Sequence, residues 1–242
     1  MNLKNKIAVV TGASSGLGAA LSIALINKNA VVYGLARNEV RLQQLKDKCG
    51  PNFHPVVMDI TQNKILEKWA TSLFSKNYIP DILINNAGIG LFGKIDELPD
   101  TEWLNMMNTN LNGMYFITRA IVPFMKQSDS HKHIINIGSI MGTMGKEEAT
   151  AYSTTKFGVQ GFSQSLFHEL RDHSIKVTCI NPGSIETDFF NRTGISTHSN
   201  MLQAADVADT IIHVLETPDN LLINEMMLRP LNPRKPDNKN SL

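Results

Sequence analysis

The sequence predicts a doubly wound α/β domain, a seven-stranded parallel sheet with helices on both faces. Three observations predict it. Seven short, β-branched apolar runs alternate along the chain with longer segments of helical period. Those runs are almost continuously apolar rather than alternating, as strands are when helices cover both faces of a sheet. With 242 residues, 42% of them hydrophobic, the chain is long enough to bury such a core in one domain.

KIAVV (residues 6–10) reads as the first strand. Ser15 to Asn29 follows as a helix, because Leu17, Leu21, Ala24 and Leu25 recur on one face. AVVYGLA (30–36) is the second strand, and Asn38 caps a helix that carries Val40, Leu42 and Leu45 and ends near Gly50-Pro51. HPVVMD (54–59) and DILINN (81–86) are the third and fourth strands, separated by a helical pattern over 61–76. Helical patterns over 101–126, 150–173 and 204–216 then alternate with the strands HIINIGS (133–139), IKVTCINP (175–182) and NLLINEMML (220–228). There is no internal repeat. Residues 1–230 are expected to form the catalytic domain, and the Pro-, Asn- and Lys-rich tail over 231–242 is expected to be disordered and solvated.

With 23 Lys and Arg against 22 Asp and Glu, no excess charge recruits nucleic acid or an anionic membrane. The amino terminus runs straight into a strand without the pattern of a signal peptide, and no apolar run approaches the roughly 20 residues of a membrane span. Cys49 and Cys179 lie far apart and outside any CxxC spacing, so a reducing cytoplasm is expected and neither a disulfide framework nor structural zinc. The seven histidines form no HxH or HxxxH ligand set on a helix, and no metal is expected. His131-Lys132-His133 reads as a solvated lead-in to its strand, and Met106, Met107 and Met114 as core packing.

Thr11-Gly12-Ala13-Ser14-Ser15-Gly16-Leu17-Gly18 follows the first strand and opens the first helix. Glycines there permit a tight turn, close approach of backbone N–H groups to a pyrophosphate and close helix packing, and the helix N-terminus faces the anion. Many strand-to-helix turns use glycine for its backbone freedom alone. The chain, however, also carries Asn85-Asn86-Ala87-Gly88, Asn110 in NLNG, Ser139 in IGSI, Tyr152 and Lys156 in AYSTTK, and Pro182-Gly183, in that order. Together these resemble the short-chain dehydrogenase/reductase family over residues 6–190, and imply its Rossmann-like fold. Extended relatives carry a larger carboxyl-terminal substrate region for which this chain has no room.

The resemblance implies a nicotinamide dinucleotide held by Gly12, Ser14, Ser15, Gly16, Leu17 and Gly18, with Asp59 and Ile60 near the adenine. Asn86, Ala87 and Gly88 would line the adenosine side, and Pro182, Gly183, Ile185 and Thr187 the nicotinamide. Asp59 has an alternative as the cap of the segment that follows. An acidic residue about 20 positions beyond the glycines binds the ribose 2′-hydroxyl of NAD. This chain instead has Ala36-Arg37-Asn38, and nothing acidic until Glu39. Arg37 stands at the unfavourable end of a helix dipole, where a 2′-phosphate would offset its charge, so NADP(H) is expected over NAD(H).

Residues four apart on a helix share a face, so Tyr152 and Lys156 can point into one cleft. Bringing a tyrosine from a pKa of roughly 10 to near 7 requires about 4 kcal/mol. An ammonium about 5 Å away supplies about 3 kcal/mol at an effective dielectric near 20, and an oxidised nicotinamide the rest. Tyr152 is thus expected to be the general acid in carbonyl reduction and the base in alcohol oxidation, with Lys156 lowering its pKa and, by resemblance, bonding the nicotinamide ribose. Ser139 would orient the carbonyl, and Asn110 resembles the family asparagine that holds a water beside the lysine and links the site to solvent; the resemblance thus implies Asn110 as a fourth catalytic residue and Asn110, Tyr152 and Lys156 as cofactor contacts. Gly138 stands where many family members have serine, which predicts a wider or softer site.

The substrate is expected to be a small carbonyl or secondary alcohol, enclosed by a lid over Asp188 to Met201 that carries Phe189, Phe190, Arg192 and His198. The ending Leu222 to Pro230 resembles family members that oxidise small hydroxy acids or serine with NADP more than acyl-carrier-protein reductases, which form the alternative. A non-catalytic NADP(H)-binding sensor is the alternative from another class. Apolar residues on the Phe157–Leu170 face, beyond what one sheet contact needs, predict a homodimer or homotetramer, as is usual in the family.

Overall fold

The computed structural model describes residues 1–193 and 197–232; residues 194–196 of the expected lid and 233–242 of the expected tail lie outside the described residues. Seven parallel strands form one sheet: β1 (Ile7–Thr11), β2 (Val31–Ala36), β3 (Phe53–Val57), β4 (Ile82–Asn85), β5 (Lys132–Ile137), β6 (Ile175–Pro182) and β9 (Glu225–Leu228). They lie in the order β3-β2-β1-β4-β5-β6-β9, while β7 (Ile185–Glu186) and β8 (Leu202–Gln203) pair with each other in a separate two-stranded sheet. The chain winds outward from β1 through β2 to β3 and then returns to the other side with β4. That reversal opens a crevice at the carboxyl ends of β1 and β4, where open α/β sheets bind ligands.

The helices follow the apolar periods. On one face α1 (Gly16–Asn27), α2 (Glu39–Cys49) and α7 (Ala204–Glu216) bury Leu21, Leu25, Leu42, Ile211 and Leu215 against Val10, Val32 and Ile180. On the other, α3 (Asn63–Leu73), α5 (Met114–Met125) and α6 (Thr150–Leu170) bury Leu66, Ile121 and Leu170 against Val9, Leu83 and Val177. Asn38 caps α2 as expected, its Oδ1 accepting the Arg41 N–H at 2.9 Å, and Gly50 ends it at φ 77°. The helical pattern over 101–126 is α4 (Asp100–Met107) and α5 joined by a wide π-turn, Asn108–Gly113, that turns Asn110 inward. The last strand is shorter than its apolar run. Lys176 Nζ, the Thr178 hydroxyl and the Cys179 N–H take the carbonyls of Leu221, Ile223 and Asn224 before the ladder to β6 begins.

The lead-in to β5 is not solvated beyond His131. Lys132 and His133 are buried because β5 is an interior strand and Asp81 waits beside it. Asp81 Oδ1 receives Lys132 Nζ at 2.8 Å and Lys6 Nζ at 3.0 Å, while its Oδ2 accepts the Ile7 N–H. His133 Nε2 lies 2.8 Å from Thr178 Oγ1, and its Nδ1 is buried without a partner among the described residues. Burial first, then the charges of Lys176 and the amino terminus, push the His133 pKa down to about 3. A histidine depressed in the folded state contributes stability that is present above its unfolded pKa near 6.5 and lost as pH falls. Its share of the loss is about 1.4 kcal/mol per pH unit below that value. His133→Gln is therefore expected to flatten the fall in melting temperature between pH 6.5 and 4.5; an unchanged slope would contradict this account.

Candidate active site

The site is built at the carboxyl ends of the strands. After β1 the chain turns through Gly12 (φ 67°) and Gly16 (φ 52°), a left-handed conformation open to glycine at little cost. A β-carbon at Gly18 would strike the Gly12 carbonyl and stand 2.6 Å from Asn86 Nδ2, so Gly18 serves packing and does not line the cavity. Thr11 laces this loop to the turn after β4: its Oγ1 accepts the N–H groups of Asn86 and Ala87 at 3.0 Å, and Asn86 Nδ2 donates to its carbonyl. The N-cap Ser15 makes no side-chain bond and the first turn of α1 holds no acid, which leaves its N–H groups to an anion.

Along these turns runs a cavity of about 1060 Å³, at the upper end of the size of ligand pockets. Gly12, Ser14, Ser15, Gly16 and Leu17 line it, as do Asn86, Ala87 and Gly88 and Pro182, Gly183, Ile185 and Thr187. Arg37, Asp59 and Ile60 line it past β2 and β3, its outer end, where Arg37 is exposed, and the buried Ser139, Tyr152 and Lys156 line it beside β5 and α6, its inner end. Asp59 Oδ1 accepts from the N–H and hydroxyl of Thr61, which fixes the turn rather than capping α3, whose N-cap is Gln62. Arg37 is exposed and has no ion-pair partner among the described residues. Arg41, in the first turn of α2, lines the same end and pairs with Asp188 at 2.8 Å. A second cation in the helix start just after Arg37 was a signal that could have found it. Phe92 and Lys146, also on the walls, had no such signal.

Tyr152 and Lys156 are both buried, and the Lys156 ammonium lies over the Tyr152 ring, 5.6 Å from its centroid, while donating to the Ile137 carbonyl at 2.9 Å. Phe92 and Phe189 flank Tyr152 at 5.6 and 5.8 Å between ring centroids. Burial pushes the tyrosine up to about 12, opposed in part by a hydrogen bond with Ser139. Burial also pulls Lys156 down to about 8. The expectation that Lys156 brings Tyr152 toward neutrality is thus corrected for the ligand-free protein: the Coulomb sum omitted desolvation, which penalises tyrosinate and ammonium alike. Tyr152 is protonated at neutral pH, the form an acid requires.

Two further expectations change. Asn110 does not line the cavity. Its Oδ1 accepts the Ile89 N–H (2.8 Å), and its Nδ2 donates to the Ile89 carbonyl (2.8 Å) and to Thr155 Oγ1 (3.0 Å), bracing the turn after β4 against α6. Gly138 does not widen the site, because the Asn181 side chain fills the space beside it. No group of three or more His, Cys, Asp or Glu among the described residues is placed to hold a metal, and no described helix is long and apolar enough to cross a membrane.

Residues 6–196 match the family model described as short chain dehydrogenase. An uncharacterized oxidoreductase of Staphylococcus epidermidis is 31% identical over 230 residues, 95% of this chain and 99% of that protein. A 3-oxoacyl-acyl-carrier-protein reductase of Vibrio harveyi is 36% identical over 188 residues, 78% of this chain and 77% of that one. The closed form of a serine dehydrogenase complexed with NADP+ superposes with a TM-score of 0.86 at 30% identity, covering 92% of this chain and 94% of that chain.

Proposed function

The chain belongs to the short-chain dehydrogenase family of oxidoreductases, and from that premise we propose that it transfers a hydride between NADP(H) and a small carbonyl or secondary alcohol. One observation carries the reading: Ser139, Tyr152 and Lys156 meet at the inner end of a cavity whose outer end presents Arg37 and Arg41. The open N–H groups of α1, the glycine loop and the two arginines suit a dinucleotide with an extra phosphate. When bound as NADPH, that cofactor supplies the hydride to the carbonyl carbon.

The protein's own residues handle the proton. Tyr152 donates its hydroxyl proton to the carbonyl oxygen, Ser139 holds that oxygen in place, and Lys156 stabilises the tyrosinate left behind. In alcohol oxidation the same groups run in reverse, with Tyr152 as base. Asn110 is a positioning residue, since it acts through Ile89 and Thr155.

Arg37→Ala is expected to weaken NADP+ binding roughly 10- to 100-fold, the worth of a charged hydrogen bond, while leaving NAD+ nearly unchanged. Titration of both nucleotides checks it, and equal losses for the two would refute the phosphate assignment.

The substrate reading is a small hydroxy acid or its oxo form, supported by the likeness to a serine dehydrogenase over most of both chains. Reduction of 3-oxoacyl thioesters is the second reading, supported by the 36% identity to the Vibrio reductase. NADP+-dependent oxidation of serine against NADPH-dependent reduction of an acetoacetyl thioester separates the two. Exposed Phe157 on α6 and Tyr115 on α5 support a homo-oligomer, dimer or tetramer, which sizing chromatography reads directly.

A further inference from the structure

Asn181 has no part in the roles assigned above, yet it is a fully buried polar residue bonded to Ser139. It lies on β6 just before Pro182, in register with Met227 of β9. Its Oδ1 accepts the Ser139 N–H at 3.1 Å. Its Nδ2 donates to Gln160 Oε1 on α6 at 3.0 Å and to Glu225 Oε1 on β9 at 2.9 Å. The Ser139 N–H and the Glu225 carboxylate fix which way round the carboxamide stands, because the reverse would set an NH2 against the N–H and a carbonyl against the carboxylate. A β-carbon at Gly138 would run into that same Oδ1 and approach Cys179 Sγ to 3.1 Å. Side chains at 138 and 181 therefore exclude one another in this arrangement.

We propose that Asn181 is a positioning residue of the site: its carboxamide takes the space a side chain at 138 would occupy and ties Ser139 to the sheet, at the place from which the serine hydroxyl reaches substrate and Tyr152. Besides its hydroxyl's bond with Tyr152, the other bonds of Ser139 run to the turn after it, its Oγ accepting from Met141 N–H and its carbonyl from Gly142 N–H. Apart from the neighbouring Gly138 bond to the Ile180 carbonyl, the Asn181 contact is its tie across to β6. The inference rests on the assignment of Ser139 and Tyr152 above. It also links the last strand to the chemistry, since Glu225 helps to orient the amide. Because the Ser139 hydrogen bond opposes the rise that burial imposes on Tyr152, a displaced Ser139 alters a titration that can be measured.

The test compares wild type with Asn181→Ala, Gly138→Ser, the double variant and Tyr152→Phe. It uses NADPH-dependent reduction of ethyl acetoacetate across pH, NADPH titration by fluorescence, and the ionisation of Tyr152 read from tyrosinate absorbance against the Phe variant. Asn181→Ala is expected to lose roughly 10- to 100-fold in kcat, as for a misplaced catalytic group, with NADPH affinity kept and the Tyr152 titration moved to higher pH. Gly138→Ser is expected to lose more. The double variant recovers part of that loss, because the serine side chain enters the space the carboxamide leaves. An Asn181→Ala protein with unchanged kcat and unchanged Tyr152 titration overturns the proposal, as does a double variant no better than Gly138→Ser. Should Asn181→Ala fail to fold, Gln160→Ala with Glu225→Ala removes both acceptors outside the cavity and is judged by the same readouts. Full activity in Tyr152→Phe would sink the functional reading and this inference with it, whereas an inactive Tyr152→Phe beside an unaffected Asn181→Ala would sink this inference alone.

Discussion

Replacing Tyr152 by phenylalanine is expected to lower turnover roughly 100- to 10 000-fold, the range that a positioned proton donor supplies, while NADPH still binds. The ring keeps its place between Phe92 and Phe189, so the lost quantity is the proton rather than the packing. The pH dependence follows from the same group. Burial holds Tyr152 up at about 12, so in reduction it stays a competent acid through neutral pH. Oxidation needs the tyrosinate, so its rate is expected to climb with pH and level off above the Tyr152 pKa, which the charge of the bound oxidised nicotinamide lowers from its ligand-free position. Parallel pH profiles of the two directions check this, and an oxidation rate that falls between pH 7 and 9 would contradict it.

Asp81→Ala is expected to be the most destabilising single change away from the cavity, costing about 3–5 kcal/mol. The carboxylate is the partner of Lys132, whose side chain is 3% exposed, and without it a buried ammonium is left uncompensated. Lys6 loses less, because it is 27% exposed and water remains within its reach. For a chain of this length the loss corresponds to a fall in melting temperature of about 10 °C. Asp81→Ala with Lys132→Met is expected to recover part of it, since removing both charges removes the desolvation problem. A double variant less stable than Asp81→Ala would show that the pair is not the source.

The fold was legible because its signals are local. Continuous apolar runs marked the interior strands, and Asn38 and Gly50 marked both ends of α2. The helix α7 fell on the expected residues, 204–216. The inner end of the cavity was legible because Tyr152 and Lys156 share a helix face, and a periodicity of 3.6 settles that without tertiary information. What stayed hidden depends on contacts distant in sequence. Lys132 and His133 read as solvated since nothing local shows that Asp81 and Thr178 will meet them. The burial that raises Tyr152 and lowers Lys156 comes from the assembled core, so a pairwise charge sum on AYSTTK could not contain it. Asn181 fell inside the run read as the sixth strand, and nothing local gave it a task until α6 and β9 brought Gln160 and Glu225 to it. Asn110 was found by its motif, but its engagement with Ile89 and Thr155 follows from the π-turn, which the helical pattern over 101–126 did not announce.

The central claim is that Tyr152, Ser139 and Lys156 carry NADP(H)-linked hydride transfer. It is tested most directly by following NADPH and NADH oxidation by the purified protein over a panel of small 2- and 3-oxo acids, 3-oxo thioesters and simple ketones, with Tyr152→Phe beside the wild type. The account predicts steady oxidation of NADPH with at least one carbonyl compound, slower oxidation of NADH, and loss of turnover in Tyr152→Phe with NADPH binding retained. NADPH binding with no turnover across the panel would favour the sensor reading, and equal rates for wild type and Tyr152→Phe would contradict the account.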